Sequence, residues 1–158
     1  MDSDMRKIFM IEDNVDHALL IRKSLENEEC AVFHYQDGLE VLKACQAMNG
    51  NAAKPDLIFL DLQLPGMDGF EVLQNLKHIK GFERIPVVML TTSYRKQEIE
   101  KAYQLGVSGY IVKSEDFESL TLKLKQAKDY WFHAVELPNS RPVKESISNP
   151  DAKSRVVE

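Results

Sequence analysis

Cysteine is scarce in this chain: there are two, Cys30 and Cys45, in 158 residues, with no CxxC spacing. That excludes a disulfide-built scaffold and a thiolate metal knuckle, and it points to two buried thiols. No apolar run approaches the length of a membrane span. The start of the chain has no secretory apolar core, so a cytoplasmic location is expected. Excess positive charge is missing too. The net charge is -5, which gives no support for a nucleic-acid surface, although a local basic patch would escape such a sum. The four histidines, His17, His34, His78 and His133, are scattered, which argues against zinc.

What is present is an ordinary globular composition, 44% hydrophobic and 28% charged, on a chain long enough for one domain with its own core. Its organising stretch is PDLIFLDLQLPGMDGF at 55–70. Leu57, Ile58, Phe59 and Leu60 carry no charge, Asp61 ends the run, and Pro65, Gly66, Asp68 and Gly69 give loop chemistry. The pattern predicts a buried strand that delivers an acid to a loop.

The same punctuation recurs along the chain. Arg6–Ile11 reads as a strand running into Glu12 and Asp13, followed by a helix capped by Asn14 or Asp16, with Leu19, Leu20, Ile21 and Leu25 as its apolar stripe down to Glu29. Cys30–Tyr35 is a second strand. Asp37 and Gly38 make a turn before a helix bearing Leu39, Val41, Leu42, Ala44 and Cys45. After the central strand comes a helix with Phe70, Val72, Leu73 and Leu76. Pro86 opens an apolar strand that closes at Thr91, Thr92 and Ser93. A helix over 96–105 ends at Gly106. Gly109–Val112 forms a fifth strand closed by Lys113. A last helix carries Phe117, Leu120, Leu124, Ala127 and Trp131. Five strands alternating with five helices predict a mostly parallel sheet covered on both faces, with the uncharged strands around Phe59 and Val88 at its centre. One folded unit is expected over 1–137, and 138–158 reads as a flexible tail. Trp131, Phe132, Val135 and Leu137 exceed what one helix face hides, which predicts packing against a partner.

In an open parallel sheet, ligands gather at the carboxyl ends of the strands. There the pattern assembles Glu12 and Asp13 from strand one, Asp61 from strand three, Thr91 from strand four and Lys113 from strand five. Converging carboxylates raise one another's pKa unless a cation intervenes, and Mg²⁺ suits hard oxygen ligands. Acids, a metal, a hydroxyl and an ammonium suit a phosphoryl group, with Asp61 as nucleophile or as metal ligand; the rigid buried strand favours the nucleophile. Tyr110, three residues before Lys113, is either a groove-filling aromatic or a rotamer switch coupled to Thr91.

The segments IFMIEDN, PDLIFLDLQLPGMDGFEVL, IPVVMLTTS and GVSGYIVKS resemble the receiver domain of two-component response regulators over 7–124. The resemblance implies a doubly wound (βα)5, flavodoxin-like fold with strand order 2-1-3-4-5, and transfer of a phosphoryl group from a histidine kinase to Asp61. It also implies Mg²⁺ held by Asp13, Asp61 and the Gln63 carbonyl, with Glu12 acting through water. Thr91 and Lys113 would contact the phosphoryl, Tyr110 would be the switch aromatic, and Gln63 and Ser93 would set the dephosphorylation rate. Such a protein catalyses its own phosphorylation and slow hydrolysis rather than turning over a substrate. Glu12 departs from the usual aspartate, and Ser114 replaces a common proline, which puts the orientation of Lys113 in doubt. The stretch from TTSYRKQ to KDYWFHAVELP is similar to stand-alone receivers that partner phytochrome histidine kinases and form homodimers through helix four, strand five and helix five.

Two rivals stand beside this reading. A Mg²⁺-dependent phosphatase would use Asp61 as nucleophile, but it needs a general acid where the chain has Gln63. A receiver fold kept only for binding would not be phosphorylated at all. Nucleic-acid binding is disfavoured because Arg141, Lys144, Lys153 and Arg155 are offset by Glu145, Asp151 and Glu158.

Overall fold

The computed structural model describes residues 5–48 and 54–138. The predicted tail over 138–158 therefore lies, beyond Pro138, outside the described residues. Five strands, β1 (Arg6–Ile11), β2 (Cys30–Tyr35), β3 (Leu57–Leu60), β4 (Val87–Thr91) and β5 (Gly109–Val112), pair in parallel in the order β2-β1-β3-β4-β5. This is the doubly wound, flavodoxin-like arrangement expected from the sequence. Helices α1 (Val15–Leu25), α2 (Gly38–Gln46), α3 (Gly69–Lys77), α4 (Lys96–Gln104) and α5 (Phe117–Asp129) cover the two faces.

Alternation along each strand divides the core in two. Phe9, Ile11, Ile58, Leu60, Val87 and Met89 pack with α2, α3 and α4 through Val41, Cys45, Val72, Leu73 and Ala102. Ile8, Met10, Leu57, Phe59, Val88 and Leu90 pack with α1 and α5 through Ala18, Ile21, Leu25, Leu120 and Leu124. A strand buried on both faces has no place for charge, which is why these runs read as unbroken apolar stretches. Both cysteines are buried and free.

Helix faces depart from the sequence reading in three places. The buried stripe of α1 is Ala18, Ile21, Ser24 and Leu25, whereas Leu19 is 53% exposed. At about 100° per residue, Leu19 lies about 160° round the helix from Ile21, on the side away from the stripe. Leu39 and Phe117 are exposed as well, each at the start of its helix. Asp37 and Gly38 are not a free-standing turn: Asp37 caps α2, accepting the Glu40 N–H at 2.8 Å, and Gly38 is the first residue of the helix. Likewise α1 stops at Leu25 instead of running to Glu29.

The apolar surplus at 131–137 is turned inward. After α5 the chain makes one wide turn, Tyr130–Ala134, closed by the Val135 N–H donating to the Tyr130 carbonyl five residues back. That turn buries Phe132 and Leu137 in the α1/α5 core and lays Trp131 and Val135 against it. The Arg6 guanidinium lies 5.5 Å from the Phe132 ring centroid. Phe132 and Leu137 are thus occupied by their own domain, while Trp131 and Val135 stay half-buried.

Candidate functional site

Strand order reverses between β1 and β3, so their carboxyl ends border the crevice where such sheets bind ligands. Register brings the acids together. Ile11 pairs with Leu60, and the Asp61 N–H donates to the Ile11 carbonyl at 3.1 Å, so the next residues, Glu12 and Asp13, flank Asp61. On the other side Thr91 pairs with Val112, and the Lys113 N–H donates to the Thr91 carbonyl at 2.7 Å.

Below Asp61 the loop into α3 is held tightly. A capping box between Asp68 and Glu71 starts the helix, and the Gly69 N–H donates to the Leu62 carbonyl at 2.9 Å. A Cβ at Gly69 would lie 2.5 Å from the Asp61 carbonyl oxygen, so only glycine allows this approach.

Among the described residues, Glu12, Asp13 and Asp61 place carboxylate oxygens within 4.8 Å of one another. Glu12 and Asp61 are buried, and Asp13 is exposed. Lys113 reaches into the cluster, donating to Glu12 Oε1 at 2.5 Å and Asp61 Oδ2 at 3.0 Å. The other Asp61 oxygen, Oδ1, accepts the Gln63 N–H at 3.0 Å, and Glu12 Oε2 accepts the Asn14 N–H at 3.2 Å. Burial pushes the Glu12 carboxyl up to about 7; Lys113 opposes that rise and the Asp61 charge adds to it. The sequence anticipated mutual repulsion among the acids, but burial is the larger cause.

Thr91 is fully buried at the end of β4, and its hydroxyl accepts the Ser93 N–H at 3.4 Å. Ser93 in turn donates its hydroxyl to Glu98 on α4 and accepts the Tyr110 hydroxyl on its carbonyl at 3.0 Å. Thus Tyr110 is tied to the same loop as Thr91, with its half-buried ring against the α2/α3/α4 core. The Thr92 hydroxyl donates to the Gln63 side chain at 3.1 Å and bridges the loops after β3 and β4.

The orientation of Lys113, doubtful from the sequence because Ser114 follows it, is settled in favour of the pocket. The Lys113–Ser114 peptide is trans, and the Ser114 hydroxyl accepts the Asp116 N–H at 3.1 Å, giving the loop a local turn where a proline would have stiffened it.

Sequence reasoning missed two histidines. His17 Nδ1 lies 3.1 Å from the Lys113 ammonium, and His34 Nε2 lies 2.6 Å from the Glu12 carbonyl oxygen. Burial first, and then the Lys113 charge, lower the pKa of His17, which keeps the ring neutral near pH 7. Parallel pairing of Ile11 with Tyr35 was the one available signal for His34, since it brings the carboxyl end of β2 beside that of β1. For His17 the signal was its place three residues after the capping Asn14, facing the strand ends.

The acid cluster offers only oxygen donors, partly buried and partly open to water, which is the donor chemistry of Mg²⁺ or Mn²⁺. Comparisons with known proteins agree. The model of the response regulator receiver domain matches residues 8–125. The chain is 35% identical over 127 residues to the probable methanogenesis regulatory protein FilR2 of Methanothrix harundinacea, covering 78% of this chain and 82% of that protein. It is 33% identical over 135 residues to response regulator Rcp1 of Synechocystis, covering 83% and 92%. The Mn²⁺-bound structure of Rcp1 superposes with a TM-score of 0.74 at 32% identity, covering 84% of this chain and 99% of that one. The phosphorylated cyanobacterial phytochrome response regulator RcpA superposes with a TM-score of 0.78 at 39% identity, covering 85% and 99%. With its strand order, its acid cluster and this match over most of its length, the chain belongs to the response regulator receiver domain family.

Proposed function

We propose that the chain is a single-domain response regulator, its receiver unit spanning 1–137, in which Asp61 accepts a phosphoryl group from the phosphohistidine of a sensor kinase. The observation that carries this is the Asp61 carboxylate held 3.0 Å from the Lys113 ammonium, with the Glu12 and Asp13 carboxylates within 4.8 Å. A carboxylate oxygen of Asp61 attacks phosphorus, the phosphorus–nitrogen bond breaks, and the imidazole leaves with the electron pair and takes up a proton. Lys113 stays protonated and neutralises charge on the transferred group. The Thr91 hydroxyl gives up its bond from the Ser93 N–H and donates to a phosphoryl oxygen. Asp13, Asp61, the Gln63 carbonyl and Glu12 would hold Mg²⁺, which would supply further neutralisation of the phosphoryl oxygens.

Because Tyr110 is bonded to Ser93, movement of Thr91 toward a phosphoryl reaches the ring through two residues of one loop. The ring then repositions against α4, which is how the switch would change the surface formed by α4, β5 and α5. Gln63, whose N–H binds the attacked carboxylate, and Ser93, on the loop after β4, tune how readily water hydrolyses the acyl phosphate. The chain so acts as a phosphoacceptor that catalyses its own modification, in the cytoplasm. Gln63 is committed to Thr92 and has no acid to give a leaving group, which disfavours the phosphatase reading.

The likeness to RcpA supports a phytochrome-type kinase as the donor. Exposed Tyr103 on α4 and Phe117 on α5 support a homodimer through the α4–β5–α5 face. Mixing the protein with an autophosphorylated phytochrome histidine kinase tests the proposal. Label should pass to the native chain and not to Asp61→Asn. An Asp61→Asn variant labelled as fast as the native chain would refute the assignment, and faster transfer from kinases of other classes would refute the phytochrome pairing.

A further inference from the structure

An ammonium has three hydrogens to place, and Lys113 places all three. Two go to Glu12 and Asp61, and the third has His17 Nδ1 as its acceptor at 3.1 Å. We propose that His17 is a positioning residue for Lys113, its ring nitrogen fixing the third hydrogen of the ammonium. The proposal rests on the phosphoacceptor reading above and deepens it.

The scaffold around this contact is closed. Asn14 accepts the His17 N–H at 3.0 Å through its side chain, and the Asn14 N–H donates to Glu12 Oε2 at 3.2 Å. One short stretch of chain therefore carries both an acid and an imidazole that grip the same ammonium. His17 has 42% of its side chain exposed, whereas Lys113 has 4%, so among the three partners of the ammonium the imidazole is the one that reaches water. A third anchor also answers the departure at Ser114. The loop carrying Lys113 lacks a proline to stiffen it, and His17 supplies a constraint from α1, an element outside that loop.

Two variants separate an acceptor from a filler. His17→Asn keeps an acceptor where Nδ1 stood but loses the ring; His17→Phe keeps the ring and loses the acceptor. With phosphoramidate as donor, so that kinase docking plays no part, His17→Phe should label about fivefold slower than native, and His17→Asn within about twofold. In metal-free protein, the ¹⁵N-resolved ammonium signal of Lys113 should persist in native and His17→Asn and be lost to exchange in His17→Phe. A pure packing role gives the reverse order. His17→Phe equal to native, or His17→Asn as slow as His17→Phe, would overturn the proposal. Native protein that fails to label would count against the phosphoacceptor reading, while the ammonium signal would still decide the contact.

Discussion

Replacing Lys113 with methionine leaves an unbranched stem in the slot and deletes the ammonium. The two ion pairs lost, 2.5 Å to Glu12 and 3.0 Å to Asp61, join side chains that are only 2%, 7% and, for the lysine, 4% exposed. Removing one partner of a buried pair costs about 3–5 kcal/mol, because a charge is left without its counter-charge. Here two carboxylates remain within 4.8 Å of each other, so their repulsion adds to the cost. A proton limits the damage. Glu12 already sits at about 7, and Lys113 is a group that holds it down, so Lys113→Met drives it higher and Glu12 protonates at neutral pH. The expected loss in EDTA at neutral pH is therefore at the lower end, about 3 kcal/mol.

The sign with pH follows. In the unfolded chain the Glu12 carboxyl titrates near its ordinary 4.5, and in the folded protein it titrates higher. Between those values the folded state holds the extra proton, so stability falls as pH rises through the window, and the window reaches further upward in the variant. Its deficit should be larger at about pH 8 than at about pH 6. A cation that binds only the folded state stabilises native protein and variant alike, so Mg²⁺ narrows the deficit only by as much as it binds more tightly to the variant, which has lost the Lys113 charge. Urea unfolding followed by circular dichroism, in EDTA and in Mg²⁺, measures all of this. A cost below about 1 kcal/mol in EDTA at alkaline pH, or a cost that Mg²⁺ leaves unchanged, would refute the reasoning.

Gly69→Ala puts a methyl 2.5 Å from the Asp61 carbonyl oxygen and 2.6 Å from the Leu62 Cα, both backbone atoms. It should cost about 1–3 kcal/mol by urea unfolding and slow labelling of Asp61, while equal stability would contradict the close approach. Burial pushes the Cys30 thiol up to about 11 and the Cys45 thiol up to about 12, so neither should react with iodoacetamide in the native protein at mildly alkaline pH. Rapid alkylation seen by mass spectrometry before any unfolding would contradict that burial. Phe132→Ala should lose about 3 kcal/mol of stability with the molecular mass in solution unchanged. Dissociation of an oligomer at unaltered stability would instead return that ring to an interface.

The sheet was legible because the strands carry apolar runs stopped by polar residues, and the stops at Glu12 and Asp13, Asp61, Thr91 and Lys113 are the strand ends that form the site. Parallel order follows from the alternation of strand and helix. Legibility failed where the answer depends on rotation about a helix axis. Leu19 and Ala18 are neighbours in sequence, yet burial goes to the smaller one, because the face of α1 is set by how the helix docks on Ile21 and Leu25. It failed again at 131–137, where a single five-residue turn rotates Phe132 inward; nothing in YWFHA marks that change of pitch. The contacts of His17, His34 and Thr92 were hard to read for a further reason. Their partners, Lys113, Glu12 and Gln63, lie 96, 22 and 29 residues away, and only side-chain rotamers bring them together.

The central claim is that one carboxylate in the acid cluster takes the phosphoryl group with a divalent cation present. Incubating the native protein with phosphoramidate and Mg²⁺, reducing the acyl phosphate with borohydride, and locating by peptide sequencing the carboxylate residue converted to its alcohol reads this directly. The account predicts a single modified residue, Asp61, and no modification in EDTA. Modification at Glu12, Asp13 or elsewhere with Asp61 intact, or equal modification without the metal, would contradict it.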